Sequence, residues 1–243
     1  MKCFNLLLYS FLLMIISISG YGQGNDCCSI KNQITYGPSL PGELFRPIVS
    51  IDNSTWFNKD WLTADIEMAN GEIVRNKEVK YSGMLDELLW NEPESNTTVM
   101  LDKAAINWFH FINFNGDSSV YFSRLKVKRD LIADSVDIFG EEIFRGELSL
   151  YVLHTYFIER REVSAINGIY SENDIYAEVP VYYFKLQNNK IIGFKKLNRK
   201  NLYALAPEKE DQINLFFRQN SPGKDFDRSE LIKLAQFLNS ILY

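Results

Sequence analysis

Residues 62–74 read LTADIEMANGEIV, and this stretch decides the predicted fold. Every second residue from Leu62 to Met68 is apolar, and the residues between them are polar. This alternation predicts a half-buried strand, because successive side chains of a strand point to opposite faces. Asn70-Gly71 follows directly and is a strong hairpin signal, since both central residues of the expected turn need positive φ. The stretch therefore predicts two antiparallel strands.

The same period of two continues over residues 55–195. Leu125 and Val127 alternate with lysines, and Asn188-Asn189 marks a second hairpin turn. One face of a single long strand is predicted to comprise Leu148, Leu150, Val152, His154, Tyr156 and Ile158. The 13 Tyr and 17 Phe residues also suit the surfaces of a sheet. We therefore predict an antiparallel β domain over this range.

After about residue 196 the apolar period becomes helical. Asn198 is predicted to cap a short helix, and Pro207 suits the first turn of the next one. Asp227, with Glu230 three residues later, is the capping-box signature of a last helix. Residues 196–243 thus predict a C-terminal helical subdomain. The predicted fold class is α+β: a curved antiparallel β-sheet followed by this small helical subdomain, packed on it.

The first 22 residues have the order of a cleavable signal peptide. Lys2 supplies a positive start, residues 4–18 are almost wholly apolar, and Gly20 and Gly22 precede the expected cleavage before Gln23. A spanning helix needs about 20 apolar residues, so this run is short for an anchor. We expect a secreted or periplasmic protein, with no membrane span after removal of the signal.

Residues 23–54 predict a loosely ordered leader, since Gly and Pro interrupt every candidate element. The leader contains Cys27 and Cys28. Neighbouring Cα atoms lie about 3.8 Å apart, which is closer than an ordinary disulfide allows. We expect this exported chain to be held together by its apolar core rather than by disulfides, and the state of the two cysteines stays open.

The composition argues against several classes of ligand. The chain has 26 basic and 31 acidic residues, a net charge of −5, so we expect no nucleic-acid partner. Its two histidines, His110 and His154, are not at metal-ligand spacing, and both are predicted to be core or interface residues. The sequence has no phosphate-binding loop or nucleophile motif. We therefore predict no metal and no cofactor.

Carboxylates are the only candidates for catalysis, and we identify no catalytic residue among them. Asp86-Glu87 and Glu141-Glu142 are adjacent pairs, whereas a glycosidase needs two carboxyls facing each other across a sugar. Neighbours in a strand point to opposite faces, so neither pair meets this condition by itself. A pair from distant parts of the chain stays open as an alternative.

The stretch Trp56-Phe57-Asn58-Lys59-Asp60-Trp61 is the candidate interaction surface. Exposed tryptophans beside polar residues can stack on sugar rings or anchor a protein partner. The competing interpretation is that Trp56, Phe57 and Trp61 cover the end of the sheet as part of its core.

A loose resemblance extends over most of the chain after the signal. It is carried by the strand and Asn-Gly turn after Trp61, by Val79-Lys80-Tyr81 leading into Asp86-Glu87-Leu88, by residues 144–151 (FRGELSLY) and by Leu-rich helices at the end. In these features the chain resembles a family of uncharacterised exported proteins of Bacteroidota. The resemblance implies export and brings no activity with it.

Three functions follow as expectations. The first is a non-enzymatic exported protein that binds a partner in the cell envelope, either a protein or a glycan. The second is a hydrolase acting on envelope or dietary polymers. The third is a carrier that holds an apolar ligand within the curved sheet.

Overall fold

The computed structural model describes residues 40–46, 55–114, 116, 118–128, 134–166, 169–220 and 226–243. The strands are β1 Gly42–Leu44, β2 Leu62–Met68, β3 Ile73–Ser82, β4 Glu87–Glu92, β5 Thr97–Leu101, β6 Ile106–Phe114, β7 Ser118–Lys128, β8 Ser135–Phe144, β9 Ser149–Leu153, β10 Tyr156–Ile166, β11 Ile169–Glu178, β12 Val181–Lys185 and β13 Ile191–Phe194. The helices are α1 Arg199–Leu205, α2 Glu210–Asn220 and α3 Arg228–Leu242. The predicted signal and its cleavage point, Gly22 and Gln23, lie outside the described residues, as do Cys27 and Cys28.

Eleven of these strands form one sheet in the order β1-β5-β4-β3-β2-β6-β7-β8-β9-β12-β13. Every neighbouring pair is antiparallel. The three helices follow the last strand along the chain. The predicted α+β class, an antiparallel sheet with a C-terminal helical portion, is confirmed.

Both predicted hairpin turns form, and they share one construction. In the first, the amide of Gly71 donates to the carbonyl of Met68, and Asn70 accepts from the amide of Glu72 through its side chain. Of the two central residues, Gly71 has φ 84° and Asn70 is not in the positive region. The expectation of positive φ at both residues was therefore wrong. The loop is a four-residue connection in which the Asn side chain takes the place of a backbone acceptor.

The second hairpin has the same bonds in the same places. The amide of Asn189 donates to the carbonyl of Leu186, and the side chain of Asn188 accepts from the amide of Lys190. Here Asn189 itself adopts φ 61°, the left-handed conformation that Asn tolerates better than most residues. Asparagine thus replaces the glycine of the first turn.

The predicted long strand over residues 148–158 is wrong. β9 ends at Leu153, and the chain leaves the main sheet so that β10 pairs only with β11 in a separate two-stranded hairpin. The alternation of apolar residues continues across the break, which is why the pattern did not reveal it. At the break the His154 side chain contacts Glu141 and Glu178. The amide of Val179 donates to the carbonyl of Thr155.

β1 lies within the leader stretch, where Gly and Pro predict no regular element. It pairs with β5 at one edge of the sheet, and Leu40 beside it is buried in the core. A Cβ at Gly42 would lie 2.4 Å from the carbonyl oxygen of Met100, so glycine permits this close pairing.

One face of the sheet, here called the core face, carries the main aromatic core. Phe109 and Phe122 stack with ring centroids 4.8 Å apart, and Phe139 meets Phe109 edge-on at 5.2 Å. The other buried members of this cluster are Leu40, Ala64, Ile66, Met68, Val74, Val79, Tyr81, Leu88, Trp90, Leu101, Ile106, Phe111 and Val120. Alternate residues of the same strands point to the opposite face, here called the back face.

The helices bury a second cluster on the sheet strands nearest the C-terminus. α3 contributes Leu231, Leu234, Ala235 and Leu238, which pack with Leu148 and other residues. Its predicted cap is confirmed, because Asp227 accepts from the Glu230 amide while the Glu230 carboxylate accepts from the Asp227 amide. The predicted cap of α1 is confirmed as well, since Asn198 accepts from the amide of Asn201.

Candidate functional site

Three rings come together on the back face of β6 and β7. His110 and Tyr121 are cross-strand partners and stack with centroids 4.6 Å apart, and Trp108 lies 5.6 Å from His110 and 6.2 Å from Tyr121. Tyr121 is 39% exposed, and the other two rings are half-buried. We call Trp108, His110 and Tyr121 the aromatic patch.

A carboxylate from the neighbouring strand holds the patch in place. Glu67 of β2 accepts from the indole nitrogen of Trp108 at 2.6 Å and from the side-chain amide of Asn107 at 3.0 Å. Both oxygens of Glu67 are therefore engaged, and the Trp108 ring has a fixed orientation. A fixed aromatic ring loses little side-chain entropy when a ligand packs against it.

His110 is the least satisfied polar group of the patch. Its Nδ1 is buried and has no hydrogen-bond partner among the described residues. Burial lowers the pKa of His110, and the Arg75 guanidinium lowers it further, while the Asp65 carboxylate acts in the opposite direction. The ring is therefore neutral at pH 7. His110 was predicted to be a core or interface residue; it is half-buried on the back face against Tyr121 and is not part of the main aromatic core.

A cleft of about 560 Å³ adjoins the patch, and its wall includes Ser123, the cross-strand partner of Trp108. Ser149, Tyr151 and Lys185 line it from the back face of β9 and β12. Its remaining wall is formed by Asn107, Arg124, Leu125, Arg145, Gly146, Glu147, Leu186, Gln187 and Asn189. We call this the back-face cleft. Its lining is dominated by hydroxyl, amide and cationic groups.

Three cations and one carboxylate, Glu147, line the cleft. Arg145 is paired with Glu142 at 2.8 Å, and that hydrogen bond raises the pKa of Arg145. Arg124 lies 3.9 Å from Asp137 and donates to the carbonyl of Ala104 at 2.5 Å. Two of the three cations therefore have a carboxylate partner just outside the lining.

Lys185, the third cation, has no carboxylate within 4 Å in the part of the chain that the structure describes. It therefore brings positive charge to the cleft that no described acidic side chain neutralises at contact distance.

A separate polar cluster surrounds Glu141 on the core face. Glu141 is 5% exposed and is contacted by Nε2 of His154 at 2.8 Å and by the guanidinium of Arg228. Nδ1 of His154 contacts Glu178 at 2.5 Å. Each ring nitrogen of His154 therefore faces the carboxylate of a different residue. The expected interface role of His154 thus takes the form of a link between β8, β11 and the start of α3.

This cluster is poorly suited to catalysis. Both nitrogens of His154 are already bound to carboxylates, so the ring has no free nitrogen to take a proton from a nucleophile. Burial, and next the Glu178 charge, raises the pKa of the nearby Tyr156 to about 12, so its phenol stays protonated. The arrangement stabilises the junction of the main sheet with the β10–β11 hairpin.

Asp86, a half-buried carboxylate, is equally occupied. Its Oδ1 accepts from the Tyr81 hydroxyl at 2.8 Å and from the amide of Phe139 at 3.0 Å, and its Oδ2 pairs with Lys103 at 2.8 Å. Glu87 lies 3.6 Å from the same Lys103. The prediction that Asp86 and Glu87 point apart was wrong, because Asp86 lies in a turn with φ 56° rather than in a strand.

The other adjacent pair behaves as strand alternation predicts. Glu141 is buried on the core face, and Glu142 pairs with Arg145 beside the back-face cleft. The two carboxylates therefore face different surroundings and do not form a catalytic pair with each other.

The three residues of the predicted interaction surface have three different environments. Phe57 packs against the main core and lies 4.9 Å from the rings of both Phe122 and His154. Trp56 lies under the ammonium group of Lys80 at 4.5 Å. Trp61 is the most open of the three, with 37% exposed.

The sequence contained a signal for the aromatic patch that was not used. Between Trp108 and Phe111 the chain alternates Trp, Phe, His, Phe, which places Trp108 and His110 on one face and the buried phenylalanines on the other. The cleft had no such signal, because its wall is assembled from several strands and loops that are distant in sequence.

Two further properties of the described residues bear on function. No group of three or more His, Cys, Asp or Glu side chains there is arranged to hold a metal ion. No helix in the described ranges has both the length and the hydropathy needed to cross a membrane.

Comparison with known proteins leaves the aromatic patch and the cleft as the basis for assigning a function. No family model matches this chain, and no curated protein or solved structure matches it significantly.

Proposed function

We propose that this protein is an exported, non-enzymatic binding protein that holds a saccharide of the cell envelope at the back face of its sheet. The observation that carries the proposal is the aromatic patch itself: three rings in mutual contact on the face opposite the core, beside a cleft of polar lining. Export is the sequence-based part of the proposal and rests on the order of residues 1–22 and on the resemblance to exported proteins.

The chemistry of the two features is complementary to that of a sugar. A sugar ring presents C–H groups that pack on an aromatic face, and hydroxyl groups that need both donors and acceptors. The patch offers the aromatic surface, and Ser123, Gln187 and Asn189 offer hydroxyl and amide groups.

The internally paired carboxylates Glu141 and Asp86 favour binding over hydrolysis. Glu141 and Asp86 are each engaged by two or more partners inside the protein, which leaves them poorly placed to protonate or attack a glycosidic bond. These contacts hold the fold together and do not open onto the back-face cleft, whose lining includes neither residue.

The test is a glycan array probed with the purified protein, followed by titration of the strongest saccharides with tryptophan fluorescence as the readout. Trp108→Ala should weaken binding roughly ten-fold, since loss of one stacking ring costs about 1.5 kcal/mol. Trp61→Ala is the matched control, because it removes a tryptophan elsewhere on the surface. Unchanged melting temperatures for both variants show that the fold is intact.

Binding by these variants also shows which of two surfaces contacts the partner. If Trp61→Ala or Trp56→Ala abolishes binding and Trp108→Ala does not, the partner uses the surface around Trp56 and Trp61. An envelope protein captured there by cross-linking from either tryptophan would then replace the saccharide as the proposed partner. Absence of binding to any saccharide at millimolar concentration contradicts the proposal.

A further inference from the structure

The back-face cleft gathers positive charge in a chain that is acidic as a whole. Arg124 comes from β7, Arg145 from the loop after β8, and Lys185 from the end of β12, whereas the chain carries a net charge of −5. Three cations from three separate elements line one cleft, together with a single carboxylate, Glu147.

The three cations differ in how freely they can meet a ligand. Arg124 is held by the Ala104 carbonyl, the Asn107 side chain and Asp137, so it forms part of the wall. The Arg145 guanidinium is 69% exposed and gives one hydrogen bond to Glu142, out of the five that a guanidinium can donate. Lys185 pairs with no acidic side chain among the residues described. Arg145 and Lys185 are therefore the groups that an anion would meet.

Arg145 also connects the cleft with the aromatic patch. Its pKa is raised first by the hydrogen bond to Glu142 and, more weakly, by the Glu142 charge and by the phenols of Tyr151 and Tyr121. Glu141 is the cross-strand partner of Phe122, so the next residue, Glu142, lies beside Tyr121 on the back face, and Arg145 pairs with Glu142 at 2.8 Å. A ligand in contact with Tyr121 is thus within reach of the Arg145 guanidinium.

Resting on the proposed function, we propose that the saccharide bound in the back-face cleft is acidic, with its carboxylate or sulfate group held by Lys185 and Arg145 and its ring against Tyr121. Carboxylate and sulfate offer the same chemistry to these two side chains: a negative charge and oxygens that accept several hydrogen bonds. A nucleic acid needs a longer positive track than three cations, and the acidic chain repels an anionic membrane surface over most of its area. An acidic saccharide needs only one cationic contact for each of its charged sugar units.

The experiment compares ligands that differ only in charge. The full exported protein is titrated with an oligogalacturonate of defined length, with the same oligomer after reduction of its carboxylates to alcohols, and with a sulfated neutral oligomer of equal length. The acidic oligomer should bind roughly ten-fold or more tightly than the reduced one, as expected for a hydrogen bond between charged groups. Raising the salt from about 0.05 to 0.5 M should reduce this advantage. The affinity for the sulfated oligomer, compared with that for the carboxylated one, shows which anionic group the cleft prefers.

Variants assign the effect to the cleft. Lys185→Gln and Arg145→Gln should each abolish most of the preference for the acidic oligomer and leave the affinity for the reduced oligomer unchanged. Lys195→Gln, an exposed lysine outside the cleft lining, is the control and should change neither affinity. Melting curves of all three variants check that the fold is intact.

The possible failures are distinguishable. Equal binding of the acidic and reduced oligomers, or an unchanged preference in Lys185→Gln and Arg145→Gln, overturns the inference and leaves the proposed function standing. Absence of binding to all three oligomers, together with a negative glycan array, contradicts the proposed function itself. Tighter binding to a single-stranded polynucleotide or to vesicles of anionic lipid than to any oligomer overturns the choice of a saccharide.

Discussion

The two faces of β6 and β7 are made from alternate residues of the same strands, yet they have different roles. On the core face Phe109 and Phe122 are fully buried and stack on each other. On the back face Trp108 and Tyr121 are partly exposed and lie beside a polar cleft. Residues next to each other in the chain therefore stabilise the fold or remain open to a ligand, according to the direction of the side chain. This contrast can be tested with neighbouring substitutions.

The largest difference in stability is expected between substitutions of two adjacent aromatic residues. Phe122→Ala should lower the free energy of unfolding by about 3–5 kcal/mol, because it removes a fully buried ring and leaves a cavity. Tyr121→Ala should cost less than about 1 kcal/mol, since its ring is 39% exposed. Urea unfolding at equilibrium measures both values. Equal costs for the two variants would contradict the assignment of the faces.

The next largest difference in stability is expected between substitutions of two adjacent carboxylates. Glu141→Ala should cost about 3 kcal/mol, because it leaves His154 and Arg228 without their shared partner in a largely buried position. Glu142→Ala should cost less than half as much, since its partner Arg145 is mostly exposed to solvent. The free energy of unfolding in urea is again the measurement. A Glu141→Ala cost below that of Glu142→Ala would mean that the Glu141 cluster does not stabilise the junction it spans.

The smallest contrast concerns the half-buried carboxylate Asp86 and depends on pH. Burial raises the pKa of Asp86, although Lys103, the Phe139 amide and the Tyr81 hydroxyl act in the opposite direction. A carboxyl whose pKa is higher in the folded chain binds its proton more tightly there. Its contribution to stability is fully present below the unfolded pKa, about 4, and is lost as the pH rises through the folded pKa.

Asp86→Asn should therefore cost most at acid pH. Asparagine keeps the two hydrogen bonds to Oδ1 and also tolerates the positive φ of this turn, but it does not titrate. The difference in unfolding free energy between the wild-type protein and Asp86→Asn should shrink as the pH rises from about 4 to 7. Urea unfolding across this range measures the difference, with the exposed Glu159→Gln as control. A difference that grows with pH would show that Lys103 outweighs burial.

By itself the sequence determined the class of fold and much of its local structure. The alternation around Ile66, the two Asn turns and the caps at Asn198 and Asp227 depend on neighbours within a few residues, so they can be predicted without knowing the fold. Strand existence and helix starts are local properties of this kind. The predicted secretory signal rests on the same kind of local pattern, and it lies outside the described residues.

Only the tertiary structure decided where the chain leaves the sheet and which side chains meet. The apolar alternation runs unbroken through His154, and the end of β9 depends on Glu141 and Glu178, which come from other strands. The back-face cleft likewise brings Ser123 together with Lys185, which is 62 positions later in the chain. Local periodicity contains no information about such distant contacts, because they arise from strand order and register across the whole sheet. The candidate binding site is therefore a product of the fold, whereas the strands that form it were predictable from the sequence.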